Sequence, residues 1–155
     1  MLKDLIKKNR SYRRFYNDRQ VPRDYLENCI ALAQMSASAA NRQPLKYILV
    51  NDERKNALIF STLAWAGYLK EWSGPEKNER PTAYIIMLGD IEISNRFEVD
   101  AGIAAQSILL GATEQGMGGV CSDQLTEISC GRICLSIRDI RYCMFWHWDT
   151  PRKKF

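Results

Sequence analysis

Residues 81–119 read PTAYIIMLGDIEISNRFEVDAGIAAQSILLGATEQGMGG, and two features inside this stretch decide the fold class. Thr82 to Leu88 is a short apolar run stopped by Gly89-Asp90, the pattern of a strand buried on both faces. Asn95 to Gln115 then reads as a helix in which Ile103, Ala104, Ala105, Ile108, Leu109, Leu110 and Ala112 cover nearly the whole circumference. A helix that is apolar all round has to be covered on all sides. In a chain of 155 residues, that predicts partial cover by a second subunit.

Upstream the same alternation recurs. Lys46 to Asn51 predicts a second buried strand, since Tyr47, Ile48, Leu49 and Val50 are continuous and apolar. Pro22 and Asp24 suit the first turn of a helix whose apolar positions Tyr25, Leu26, Cys29, Ile30 and Ala33 recur at helical spacing to about Met35. Lys3 to Lys8 predicts a short helix, and Glu53 to about Lys70 a second long one, followed by an exposed loop from Gly74-Pro75 to Arg80. Ser36 to Asn41 is ambiguous by propensity; Pro44 biases Gln43 away from helix and closes the stretch as a loop. Helices alternating with two buried strands point to an α+β or α/β sheet protein.

Composition agrees with a globular chain: 46% hydrophobic and 26% charged residues, with no low-complexity tract. No apolar run approaches the length of a membrane span, and Met1 to Asn9 carries Asp4 and lacks the apolar core of a signal peptide. The expectation is a cytoplasmic protein without a membrane partner. Much of the net charge of +4 comes from Lys3, Lys7, Lys8, Arg10, Arg13 and Arg14, which read either as a solvated helix face or as a site for a small anion. No zinc-finger, RNA-binding or helix-turn-helix signature is present, so no nucleic-acid partner is expected.

Three motifs in order now resemble one family. Arg10-Ser11-Tyr12-Arg13-Arg14-Phe15 is similar to the R-S-x-R-x-F element of nitroreductase-family proteins. Ser38-Ala39-Ala40-Asn41-Arg42-Gln43-Pro44 resembles that family's S-x-x-N-x-Q-P loop. Asp100-Ala101-Gly102-Ile103-Ala104-Ala105-Gln106 with Gly116-Met117-Gly118-Gly119 resembles its D-x-G-x-A-x-Q helix and G-[LM]-G turn. Ala37 stands where the family often has proline, and Leu45 where tryptophan is common. The resemblance implies an α+β fold, a nitroreductase-like three-layer sheet with flanking helices, and a homodimer with FMN at the subunit interface. It implies electron transfer from NADH or NADPH through FMN to a nitroaromatic, quinone or similar acceptor, with no catalytic side chain and no metal. Arg10 and Arg13 offer fork-shaped donors, and Ser11 a hydroxyl, for the FMN phosphate; surface charge is the alternative. By resemblance Ser38, Asn41 and Gln43 bind the ribityl chain and ring edge, with a turn that merely caps the loop as the alternative.

After Gly119 the chain changes character. Cys121, Cys130, Cys134 and Cys143 all fall in this tail, as do the single histidine, His147, and Trp146 and Trp148. Cys130-x3-Cys134 and Cys143-x3-His147 carry nearly the ligands of a zinc centre. A shifted reading frame explains the composition better. Codons read one base early, across Tyr142 to Pro151, give L-[HY]-V-L-A-L-G-[HY]-[PAST] almost regardless of codon choice. That peptide resembles the family's final buried strand and turn, L-A-L-G-Y-P-K-E-K. The same shift from Gly119 permits C-[LMV]-[FL]-G-S-[IV]-N-R-[DN]. The chain is therefore divided into a nitroreductase-like FMN-binding core, residues 1–119, and an anomalous tail, residues 120–155, that is out of frame. The expected consequences are a fold incomplete at the C-terminus, loss of at least one interior strand, and no phosphate role for Arg152, Lys153 or Lys154. The alternative to an active oxidoreductase is an inactive remnant that dimerises without binding flavin productively.

Overall fold

The computed structural model describes residues 1–65 and 67–122 and the backbone of residues 140–148. Its elements are helix α1 (Leu2–Lys8), helix α2 (Arg23–Gln34), strand β1 (Leu45–Val50), helix α3 (Glu53–Phe60), strand β2 (Tyr84–Gly89), helix α4 (Glu98–Glu114), strand β3 (Met117–Ser122) and strand β4 (Ile140–Trp148). The four strands form one antiparallel sheet in the order β1-β2-β4-β3.

Three layers follow from the strand period of two. Ile85 and Met87 of β2 point to a core shared with Leu26, Cys29 and Ala33 of α2 and Ala101, Ala104, Ala105, Ile108 and Ala112 of α4. Tyr84, Ile86 and Leu88 point the other way, to a core built from Phe15, Val50, Ile59 of α3 and Val120. Every residue of β2 is buried, which is what its unbroken apolar run requires. Burial pushes the Cys29 thiol up to about 12, so this cysteine serves as a small apolar core residue.

Three of the helices begin or end for a local reason. Pro22 caps α2 in extended conformation, where its missing N–H is no loss. Asp52 caps α3, its carboxylate accepting from the Lys55 N–H at 2.9 Å. Gly116 follows α4 at φ 77°, a conformation that favours glycine, and its N–H returns to the Thr113 carbonyl at 3.2 Å.

Two expectations change, the length of the second long helix and the missing interior strand. The second long helix stops at Phe60 instead of running to about Lys70. The Ser61 and Thr62 hydroxyls donate back to the carbonyls of Leu58 and Ile59 at 2.8 and 2.6 Å, competing with the helix ladder. The chain then brings Trp65 against Phe15, Phe60 and Trp72. The apolar helix, α4, is only partly covered by its own chain: Val99 and Ile103 are exposed, and Leu109 and Leu110 half-buried. Finally, the sheet does not lack its interior strand. The backbone of β4 lies between β2 and β3, with Tyr84 opposite Phe145 and Val120 opposite the same residue on its other side. A ladder is made by backbone groups that every non-proline residue carries, so the altered composition of the tail does not prevent it.

Among the described residues, no helix is long and apolar enough to cross a membrane. Nor do any of them form a cluster of metal-ligating side chains. The cysteines at 130, 134 and 143 and His147 lie outside the described side chains.

Candidate functional site

Arg10, Ser11 and Arg13 come together at the outer edge of β3. Ser11 forms a parallel bridge to Gly119, and the Tyr12 N–H donates to the Gly119 carbonyl at 3.2 Å. Arg10 is exposed; its Nη1 donates to the carbonyls of Ile6 and Asn9 at 2.9 and 2.6 Å, at the C-terminal end of α1. Arg13 donates to the Ser11 carbonyl at 3.1 Å, and its guanidinium lies 5.5 Å from the centre of the exposed Tyr68 ring. Arg14, next in sequence, is turned inward to Glu79 at 3.4 Å and to the Trp72 ring. Two neighbouring guanidinium groups and a hydroxyl thus face outward around a segment held by backbone bonds, while the third arginine is structural.

Ser38, Asn41 and Gln43 come together in a second group. The loop contains a 3-10 turn over Ala39–Asn41. Ala40, Asn41 and Gln43 have φ of 50°, 52° and 48°, in the left-handed region. Such residues are held at a cost of order 1–3 kcal/mol each, and persist only where surrounding contacts fix them. Here the Ser38 hydroxyl donates to Asp100 Oδ2 at 2.8 Å and accepts from the Gln43 N–H at 2.9 Å. The Ala39 N–H donates to Asp100 Oδ1 at 2.9 Å. Gln43 Nε2 donates to Asn41 Oδ1 at 3.0 Å, on the exposed side of the loop. The loop borders a cleft of about 370 Å³ lined by Ser38, Gln43, Lys46, Tyr47 and Asp100. Burial, with the nearby Asp100 charge adding to it, pushes the Tyr47 hydroxyl up to about 12, so the cleft holds it protonated.

The two groups are far apart. Val50, Tyr84, Phe145 and Val120 share one row across the sheet. Gly119 lies one residue beyond that row, while Leu45, where the loop enters β1, lies five residues to the other side. At the usual strand rise this is roughly 20 Å along the strands. Ser11 is four strand steps from β1, roughly 19 Å across them. The groups therefore occupy diagonally opposite corners, roughly 25–30 Å apart by those spacings. That exceeds the reach of a single phosphate-bearing three-ring ligand.

Asp100 and Tyr47 were not candidates on sequence grounds. Asp100 is 97% buried beneath the loop, at 3% exposure. The available signal was a carboxylate next to the apolar run of the helix, which must find partners if buried. For Tyr68 beside Arg13 the sequence offers no signal, because the two meet only through the fold.

A profile of the nitroreductase family matches residues 6–140. A Methanothermobacter thermautotrophicus protein, provisionally designated an NADH dehydrogenase/NAD(P)H nitroreductase, is 28% identical over 119 residues, 76% of this chain and 58% of that protein. This chain thus spans little more than half the length of that curated relative. Among solved structures, a Bacteroides thetaiotaomicron protein with the same provisional designation superposes with a TM-score of 0.77 at 20% identity, over 99% of this chain and 92% of that one. An FMN-dependent nitroreductase of Clostridium difficile gives 0.76 at 20%, over 97% and 88%. At such identities the superpositions establish the three-layer fold. The profile carries the assignment further, since it spans the arginine corner, the left-handed loop and α4 alike: the chain belongs to the nitroreductase family.

Proposed function

We propose that this protein is an FMN-dependent oxidoreductase, drawing electrons from NADH or NADPH, whose flavin sites form between two copies of the chain. The separation of its two donor groups at opposite sheet corners is the observation that carries the proposal. Neither corner offers a full complement of ligand contacts by itself, and a second copy brings the loop of one chain to the arginines of the other. The exposed Val99 and Ile103 on α4 supply apolar surface for such a contact.

The residues present fit the cofactor. Arg10, exposed, and Arg13, half-buried beside the Tyr68 ring, are bonded to backbone carbonyls and paired with no carboxylate, so a phosphate dianion can recruit them with the Ser11 hydroxyl. Ser38 keeps the loop in shape, while the exposed Asn41 and Gln43 amides supply donors and acceptors for the ribityl chain and ring edge. When bound, FMN supplies two-electron transfer from the nicotinamide donor to a nitroaromatic, quinone or similar acceptor. The chain's own part is to bind, orient and shield. No side chain needs to act as nucleophile.

We infer further that the reading frame shifts near Gly119 or Val120. The gene stretch whose shifted translation resembles the family's final buried strand encodes the residues whose backbone lies in the interior of the sheet as β4.

Purified protein is expected to be yellow, or to become so with added FMN, and to bleach anaerobically on addition of NADH or NADPH. Protein that stays colourless in excess FMN would overturn the proposal and favour an inactive remnant of the fold.

A further inference from the structure

We infer that Asp100 is a positioning residue for the flavin-facing loop, holding Asn41 and Gln43 in the one conformation that presents their amides to the ligand. The inference rests on the loop's proposed flavin role. Asp100 stands in the first turn of α4, 3% exposed, and its two carboxylate oxygens are engaged separately. Oδ1 accepts from the Ala39 N–H at 2.9 Å and Oδ2 from the Ser38 hydroxyl at 2.8 Å. Ser38 relays the constraint by accepting from the Gln43 N–H at 2.9 Å. The carboxylate is thereby tied to both ends of the left-handed segment: directly at Ala39, through one hydroxyl at Gln43. Hydrogen bonds to a buried carboxylate are the strong class, and this geometry uses both oxygens.

The side chains Asp100 controls are exposed, while Asp100 itself is buried. Gln43 and Asn41 bond each other on the exposed face of the loop, so Asp100 sets their placement without occupying their surface. An amide at position 100 would satisfy Ala39 but turn its NH2 toward Ser38, leaving the serine proton without its acceptor. Alanine would remove both anchors.

The test uses Asp100→Ala and Asp100→Asn in the full chain, with two readouts. In protein free of flavin, amide exchange at Ala39 and Gln43 is expected to accelerate roughly tenfold or more in the alanine variant. The amides of Ala104 to Ala112 in α4 should keep their rates, and the asparagine variant should be intermediate. In FMN titrations followed by flavin absorbance, the alanine variant is expected to bind roughly tenfold or more weakly, with a smaller loss for asparagine. Unchanged exchange at Ala39 and Gln43 would overturn the inference. So would a loosened loop that binds FMN as tightly as the unaltered chain. If the unaltered chain itself binds no FMN, the proposed function fails, and with it Asp100's positioning role; exchange in the variants then reports only a structural latch.

Discussion

Gly118 sits where the first segment of the chain crosses β3, and a Cβ there would enter the Tyr12 ring. The obstructing atoms include the ring carbon nearest the backbone, and Tyr12 is tethered at its far end by donation to the Lys8 carbonyl at 2.8 Å. The ring cannot swing away cheaply. Gly118→Ala is therefore expected to destabilise the fold by about 1–3 kcal/mol, the usual cost of overpacking, and to lower the melting temperature by about 2–12 °C. A melting curve matching that of the unaltered protein would show that Ser11 and Tyr12 do not lie against β3. Individual residues were unevenly legible. The motif at residues 10–13 marked Arg10 and Arg13 and left Arg14 aside, and the fold turns Arg14 into an ion pair with Glu79 that no local pattern foretells.

At the scale of elements, periodicity located what repeats along the chain and missed what depends on distant partners. The strands β1 and β2 and the helices α1, α2 and α4 lie within a few residues of their sequence boundaries, because each is specified by its own apolar spacing. α3 was overrun because Ser61, Thr62 and Trp65 break the helix through back-bonding and aromatic packing, neither of which shows in a helical pattern. β4 was not foreseen for a different reason. Its slot is defined by β2 and β3, and hydrogen-bond ladders accept residues that no family motif would recognise. This bears on the proposed frame shift. Resequencing the gene through the codons of Gly119 and Val120 is expected to reveal a one-base insertion or deletion that restores the strand L-[HY]-V-L-A-L-G. An unambiguous uninterrupted frame would contradict it.

For the whole molecule, the sheet fixes the separation of the arginine corner and the loop corner, and one chain cannot close that distance. The sequence supplied both groups of site residues in advance, yet their mutual placement is a property of strand order, which no local pattern encodes. Shared sites between two copies make a quantitative prediction. Let one chain carry Arg10→Ala with Arg13→Ala, and another Asn41→Ala with Gln43→Ala. Each variant alone should bind little FMN, since every site in its homodimer loses one side. In a heterodimer of the two, one site receives both lesions while the other receives none. Co-expression should therefore restore about one quarter of the flavin content of the unaltered protein, because random pairing makes about half of the dimers mixed, each with one of two sites intact. Flavin recovery at that level, measured by absorbance on purified protein, is the expected result. Recovery no greater than the average of the two variants alone would contradict a site shared between chains.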